Sequence, residues 1–418
     1  DRPYIGVLLY LFFGLRKSHS KRYKDIITQQ PVTQIKEASG TKYELDTLMN
    51  ANQISGTTEN NQIKLIYSDI EAFETLITLI EQAEKEISLE TYIFEADKTG
   101  KAILNALTES AQRGVKVRLL MDAIGSFGLH LNQTPLKELR EAGGKAAFFQ
   151  PIWPNIITNQ INLRNHRKIY IFDQKTVLTG GLNLSNDYLG IDTKETRWLD
   201  LLFKIEGPSS FHYQNIFNED WFFTTKEQLT LNAIDNHCHE GETVQAIPSG
   251  PDIESDTLYE ALLLCIHSAK KTIKIATPYF IPNNNVMNAL LIAIKRGVKV
   301  TILTPTKSDH WLFDFGRSSY MREFSEAGGK LFYYPHNMLH AKLFIFDGKV
   351  ALSGSANLDY RSLFLNYEMV HILYCESTIE KLLGWYEENL KQGHLYKPKD
   401  TKSARVIENI SRIIAPIL

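Results

Sequence analysis

The chain has 418 residues, 43% hydrophobic and 22% charged, with a formal net charge of -2. This is globular composition and length enough for two or three domains, which excludes a disordered or fibrous protein. The near-neutral balance gives no global basic field for capturing nucleic acid by charge, and three widely spaced cysteines, Cys238, Cys265 and Cys375, argue against a disulfide framework.

The chain opens on an almost uncharged run, residues 3–15 (PYIGVLLYLFFGL), followed at once by Arg16, Lys17, Lys21, Arg22 and Lys24. The run is shorter than the roughly 20 residues a spanning helix requires, and the basic cluster suits anionic headgroups on a cytoplasmic face. Residues 1–24 are therefore read as a membrane-proximal segment, and residues 25–61 as a polar linker ending in GTTENN. The folded body is expected to begin near Gln62.

From there, strand-like and helix-like runs alternate: IKLIYS, FETLITLIEQAEK, ISLETYIF, ILNALTESAQRG, VKVRLLMD. That order predicts βα units around a mostly parallel sheet. About 185 residues later it returns as TLYEALLLCIHSAKK, TIKIATPYF, VMNALLIAIKRG and VKVTILTP. RGVKV and EAGGK each occur twice, and Tyr92 and Phe94 are echoed by Tyr279 and Phe280. The chain is read as a duplication, with halves at 62–235 and 236–418 joined by a polar stretch containing HCHE. Adjacent His-Cys-His is not a usual zinc spacing, so no metal and no other cofactor is assigned.

Each half carries the same constellation after EAGGK: HRKIYIFD at 166–173 with TGGLN at 179–183, and HAKLFIFD at 340–347 with SGSAN at 353–357. The runs IYIF and LFIF read as strand, where residues two apart share a face, so His166 projects with Lys168 and His340 with Lys342. By the same parity Asp173 and Asp347 fall on the opposite face and take a structural role. A neutral imidazole can attack phosphorus while a second imidazolium protonates the leaving oxygen. Two lysines with Asn183 and Asn357 can hold the charged oxygens of a phosphate, with Gly181 and Ser355 leaving room or a hydroxyl for it. A nucleophilic imidazole also needs an acceptor on its other nitrogen. Each motif has a candidate downstream in its own half: Asp200 for His166, and Glu368 for His340.

These residues match the signature His-x-Lys-x4-Asp followed by Gly-Gly/Ser-x-Asn, and the chain resembles the phospholipase D superfamily. Within it, stretches such as RNHRKIYIFD, TPYFIPN and GSANLDYRSLFLNYE resemble bacterial cardiolipin synthases from end to end. The resemblance implies an α/β fold of two similar sandwich halves about a pseudo-twofold axis, with one metal-free site at their interface. It implies His166 as nucleophile, His340 as general acid, and Asp200 and Glu368 as the acids that orient them. Members commonly begin with two hydrophobic membrane helices, and residues 3–14 are similar to the end of the second.

The implied reaction joins two phosphatidylglycerol molecules into cardiolipin and glycerol through a phosphohistidine, on the cytoplasmic side of a bacterial inner membrane. Phospholipid substrates and the membrane surface are the expected partners, nucleic acid is not, and nothing in the sequence sets an oligomeric state. Residues 148–157 (FFQPIWPNII) and 311–315 (WLFDF) read equally well as bilayer contacts or buried core. Residues 406–418 read as a helix packed on the body. Three rivals stand beside this reading: hydrolysis of the same intermediate to phosphatidic acid, a nuclease using the same phosphodiester chemistry, and a non-catalytic membrane scaffold.

Overall fold

The computed structural model describes residues 41–155, 160–192, 194, 196–231, 241–253, 255–398 and 401. The N-terminal apolar and basic segment, the HCHE stretch and residues 406–418 lie outside the described residues.

Among the described residues seven strands form the first half: β1 (Thr58–Ile66), β2 (Glu86–Thr91), β3 (Lys116–Asp122), β4 (Lys145–Phe149), β5 (Ile169–Phe172), β6 (Thr176–Gly180) and β7 (Leu202–Glu206). Seven more repeat them in the second half: β8 (Glu242–Ser249), β9 (Thr272–Ala276), β10 (Lys299–Pro305), β11 (Lys330–Tyr334), β12 (Leu343–Phe346), β13 (Val350–Gly354) and β14 (Glu368–Leu373). A short edge strand, β15 (His394–Leu395), follows. The spatial order is β15-β11-β10-β9-β12-β13-β14-β8-β1-β7-β6-β5-β2-β3-β4. Reading outward from the central pair, β1 and β8 correspond, as do β7 and β14, β6 and β13, β5 and β12, β2 and β9, β3 and β10, β4 and β11. The duplication seen in the sequence is thus a pseudo-twofold arrangement of two α/β halves.

The sheet is mixed, which corrects the expectation of a mostly parallel one. Among the strands of the described residues only β2–β3, β3–β4, β9–β10 and β10–β11 pair in parallel. After the fourth strand of each half the chain stops making helical crossovers and turns back in a tight hairpin, β5–β6 or β12–β13. The turns are built on left-handed residues, Asp173 (φ 52°) and Gln174 (φ 57°) in one half, Asp347 (φ 53°) and Gly348 (φ 66°) in the other. Two successive residues at positive φ suit the twist of a two-stranded hairpin.

The apolar strands are buried on both faces, so they read as continuous hydrophobic runs rather than alternating ones. Tyr170 and Phe172 of β5 face the outer helices of the first half, Ile103 and Leu107 among the residues there, while Ile169 and Ile171 face a core shared by both halves. Phe344 and Phe346 of β12 repeat the division against Leu262 and Leu290. The shared core joins Phe203, Phe217 and Trp221 to Leu343, Met369 and Tyr386.

The expected boundary near Gln62 falls too late. β1 starts at Thr58, and helix Thr41–Ala51 places Leu45 and Met49, both fully buried, in the core of the second half beside Ile54 and Leu262. With Leu48, which packs against the same core, they form the apolar stripe of the helix.

Candidate active site

Both histidines lie just before their strands, in extended chain that leads into β5 and β12. Two main-chain clamps hold them across the halves. Tyr367 donates its amide to the carbonyl of Arg164 (2.9 Å) and accepts from the amide of His166 (2.9 Å). Leu199 donates to the carbonyl of Met338 (2.8 Å) and accepts from the amide of His340 (2.8 Å). The residue after each clamp is an acid, so Glu368 meets His166 and Asp200 meets His340.

His166 Nδ1 lies 3.0 Å from Glu368 Oε2, and His340 Nδ1 lies 2.6 Å from Asp200 Oδ2. This crosses the expected pairing of each histidine with the acid of its own half. Glu368 is the first residue of β14 and Asp200 lies two residues before β7, both strands next to the pseudo-twofold axis, and that location brings each acid to the opposite motif. The acceptor on Nδ1 fixes the proton there and leaves Nε2 as the free nitrogen of each ring.

Four of the remaining residues divide unequally between phosphate and support. Ser355 Oγ donates to Glu368 Oε2 (2.5 Å) and accepts from the amide of Met369 (2.9 Å), so its hydroxyl is committed to the carboxylate and not to a phosphate. At the equivalent position, a Cβ on Gly181 would stand 2.3 Å from Asp200 Oδ1. Glycine is needed here because the carboxylate lies against the backbone. Asn183 Oδ1 accepts from the amide of Ile93 (3.1 Å), and its side chain bonds the Tyr188 hydroxyl, which makes it a strut. Asn357 keeps an Oδ1 with no hydrogen-bond partner among the described residues and lines a small apolar cavity beside Lys342.

The lysines are wholly buried. Lys168 Nζ donates to the carbonyl of His166 (2.7 Å) and lies 5.5 Å from the ring centre of Tyr92. Lys342 Nζ stands 2.7 Å from His340 Nδ1 and donates to the His340 carbonyl. Burial lowers Lys168 to about 7 and Lys342 to about 8. Burial, reinforced by the two ammonium groups, lowers both imidazoles to about 4, against the opposing pull of their carboxylates. Burial also works against Glu368, but His166, Lys168 and the Ser355 hydroxyl outweigh it and hold the carboxyl at about 2. Asp200 is likewise held low: burial opposes it, and Lys342 and His340 prevail. Lys342 acts on His166 and Lys168 on His340, so both motifs share one field.

Several residues of the site carry no motif. Tyr92 packs edge-on against His166 (centroids 4.9 Å), and Tyr188 and Trp198 flank His340 (5.1 Å each). Of these only Tyr92 left a trace in the sequence, as the echo of Tyr279. Arg167, fully buried, donates to the carbonyl of Glu368 (3.2 Å) and pairs with Asp220 (2.5 Å), tying the first motif to the strand that delivers its acid. Its counterpart Ala341 has no such reach, so the two motifs are not equivalent. Asp173 and Asp347 point away from the site. Among the described residues no group of three or more His, Cys, Asp or Glu is placed to hold a metal ion.

The family model "Cardiolipin synthase, PLD-like domain" matches residues 76–221 and 262–390, which contain both histidine motifs and both acids. The chain belongs to the cardiolipin synthase family. A cardiolipin synthase of Geobacillus sp. (strain WCH70) is 34% identical, over all of this chain and 86% of its own length. The major cardiolipin synthase ClsA of Bacillus subtilis (strain 168) is 31% identical, over all of this chain and 91% of its own. Among solved structures, phosphatidylserine synthase of Haemophilus influenzae Rd KW20 superposes with a TM-score of 0.65 at 16% identity, covering 91% of this chain and 100% of that one, and shares its fold. As a cardiolipin synthase family member the chain is a phosphatidyltransferase of phospholipid biosynthesis.

Proposed function

We propose that the chain makes cardiolipin from two phosphatidylglycerol molecules through a phosphatidyl group carried on His166 Nε2. The observation that carries this reading is the pair of crossed Nδ1–carboxylate contacts, which leave two free Nε2 nitrogens in one buried field. His166, neutral at pH 7, attacks phosphorus as the bond to the first headgroup glycerol breaks, and protonated His340 gives its proton to that departing oxygen. His340 then takes the proton of a headgroup hydroxyl on the second phosphatidylglycerol. That oxygen attacks phosphorus, the P–N bond breaks, and cardiolipin forms.

Lys168, Lys342 and Asn357 would hold the non-bridging oxygens. Asp200 and Glu368 orient the rings and stabilise their charged forms, with Gly181, Ser355 and Asn183 supporting them. The anionic phosphodiester itself favours the imidazolium that burial disfavours, so His340 gains its proton when substrate is present. The non-equivalence of the motifs at Arg167 supports giving the nucleophile's part to His166.

The basic cluster at residues 16–24 favours a catalytic body on the cytoplasmic side of the inner membrane. The folded halves are taken as 58–231 and 241–398, with helix Thr41–Ala51 belonging to the second. Incubation with labelled phosphatidylglycerol, followed by chromatography, should give cardiolipin and glycerol in equal amounts. Phosphatidic acid alone would replace this reading with hydrolysis.

A further inference from the structure

Among the described residues large apolar side chains are exposed at a few places, and three of those places are related. Phe127 (48% exposed) and Leu131 (69%) lie in the short helix after β3, Trp153 (71%) follows β4, and Trp311 (74%) with Leu312 (37%) follows β10. β3 and β10 are counterparts in the two halves, so Phe127 and Trp311 occupy corresponding loops. All three loops leave the carboxyl ends of parallel strands, where open α/β sheets place their ligand crevices.

Each loop is also braced against a site residue. Ser126, beside Phe127, donates from Oγ to the carbonyl of Tyr92 (3.0 Å), and Tyr92 is the ring on His166. Near Trp311, Phe313 packs on Tyr279 (4.3 Å), whose hydroxyl bonds Asp309 (2.5 Å), and Asp309 acts electrostatically on Lys342. The His130 ring lies 5.0 Å from Phe148 in β4, placing the Phe127–Leu131 helix beside the strand that leads to Trp153. Gln150, between them, accepts from Arg164, two residues before His166. Phe148 and Phe149 themselves are buried, so only the tip of that loop faces out.

We propose that Phe127, Leu131 and Trp153 on one side and Trp311 with Leu312 on the other form a two-sided rim that inserts into the lipid interface and seats the mouth of the site on the bilayer. The occupant is a phospholipid surface because these loops are braced against the residues around His166 and Lys342, where a phosphodiester must arrive, and because exposed indoles, with the exposed Lys307 four positions before Trp311, suit the headgroup level of an anionic bilayer. Residues so placed on the two halves would let two lipids approach the shared site without leaving the membrane. The inference rests on the phospholipid substrate of the proposed function.

The chain holds five tryptophans, of which Trp221 and Trp385 are buried in the shared core and Trp198 lies at His340. Phosphatidylglycerol vesicles carrying brominated acyl chains should therefore quench the full-length protein mainly through Trp153 and Trp311. The W153S/W311S variant should lose most of that quenching. It should also lose roughly tenfold in turnover on vesicles, the equivalent of about 1.4 kcal/mol, while changing less than about twofold on monomeric short-chain phosphatidylglycerol. Three outcomes overturn the rim: quenching unchanged in the variant, turnover lost equally on vesicles and monomers, or an altered oligomeric state with vesicle turnover intact, which would make the patch a contact between copies. Absence of turnover by the parent protein on both vesicles and monomeric lipid would instead sink the function on which the proposal rests.

Discussion

The amide of His166 donates to the carbonyl of Tyr367, 202 positions on from His166's neighbour Asn165 and in the other half of the molecule, and the next residue after Tyr367 is the acid that holds the imidazole. The same relation holds between His340 and Leu199, with Asp200 following. Each half therefore completes the other's histidine, and the two acids can be separated by experiment. Glu368→Gln should abolish labelling of His166, with losses on the order of 10³ to 10⁴ in kcat, for any leaving group. Asp200→Asn should slow the natural reaction comparably but recover labelling with a phosphodiester whose leaving group needs no proton. Recovery in Glu368→Gln instead of Asp200→Asn would invert the roles of the two histidines.

The lysines set the alkaline limit. Burial brings Lys168 to about 7 and Lys342 to about 8, and only their charged forms hold a phosphate. kcat/KM, which reports the free enzyme, should fall as pH rises through this range. The limb in kcat should lie higher, because a bound anion favours both ammonium groups. Lys168→Arg removes the lower titration, since a guanidinium stays charged. Its relative pH–rate profile should break near 8 rather than 7, whatever the loss in absolute rate. An unmoved limb would assign it to another group.

The duplicated strand order was legible because each strand is a short apolar run between turns, and the residue types and spacing of the motifs announced phosphoryl chemistry. What could not be read was pairing at a distance. Which acid meets which histidine depends on β1 and β8 being adjacent at the axis, and nothing local in LNYEMVHILY or RWLDLLFKI encodes that. Ser355 and Gly181 looked like phosphate ligands for the same reason, since the carboxylates that occupy their surroundings arrive from strands across the sheet. Helix Thr41–Ala51 reads as linker in the sequence because its apolar residues find most of their partners in the second half of the chain.

Parity did separate the signature aspartates from the chemistry. Asp347 accepts from the amides of Lys270 (2.8 Å), Lys271 (2.7 Å) and Thr272 (2.8 Å), and Asp173 does the same for Glu84, Lys85 and Glu86. Each carboxylate stitches the hairpin to the start of the neighbouring antiparallel strand, β2 or β9. Asp347→Ala should cost about 1–3 kcal/mol of stability, seen as a lower thermal midpoint. Turnover per folded molecule at 20 °C should stay within about threefold of the parent, unlike any change at Lys342. A large drop in kcat at full folding would return this residue to the active site.

His371 lies in β14, wholly buried in the core shared by the halves, with its ring against Phe203 (4.3 Å) and, among the described residues, no hydrogen bond to either nitrogen. Burial alone lowers it to about 3, so the fold accepts only the neutral ring. The unfolded chain takes up a proton near pH 6.5, the folded chain does not, and stability is therefore full above about 6.5 and lost as pH falls toward 3. At pH 5 the loss from this one residue is about 2 kcal/mol. Since no hydrogen bond is forfeited, His371→Leu should leave the thermal midpoint at pH 7.5 nearly unchanged and raise it over the parent at pH 5. The gap between the two proteins should widen steadily between those pH values. A gap that stays constant would mean that His371 takes a proton in the folded protein, which its surroundings of Phe203 and the apolar β14 neighbours give no means of stabilising.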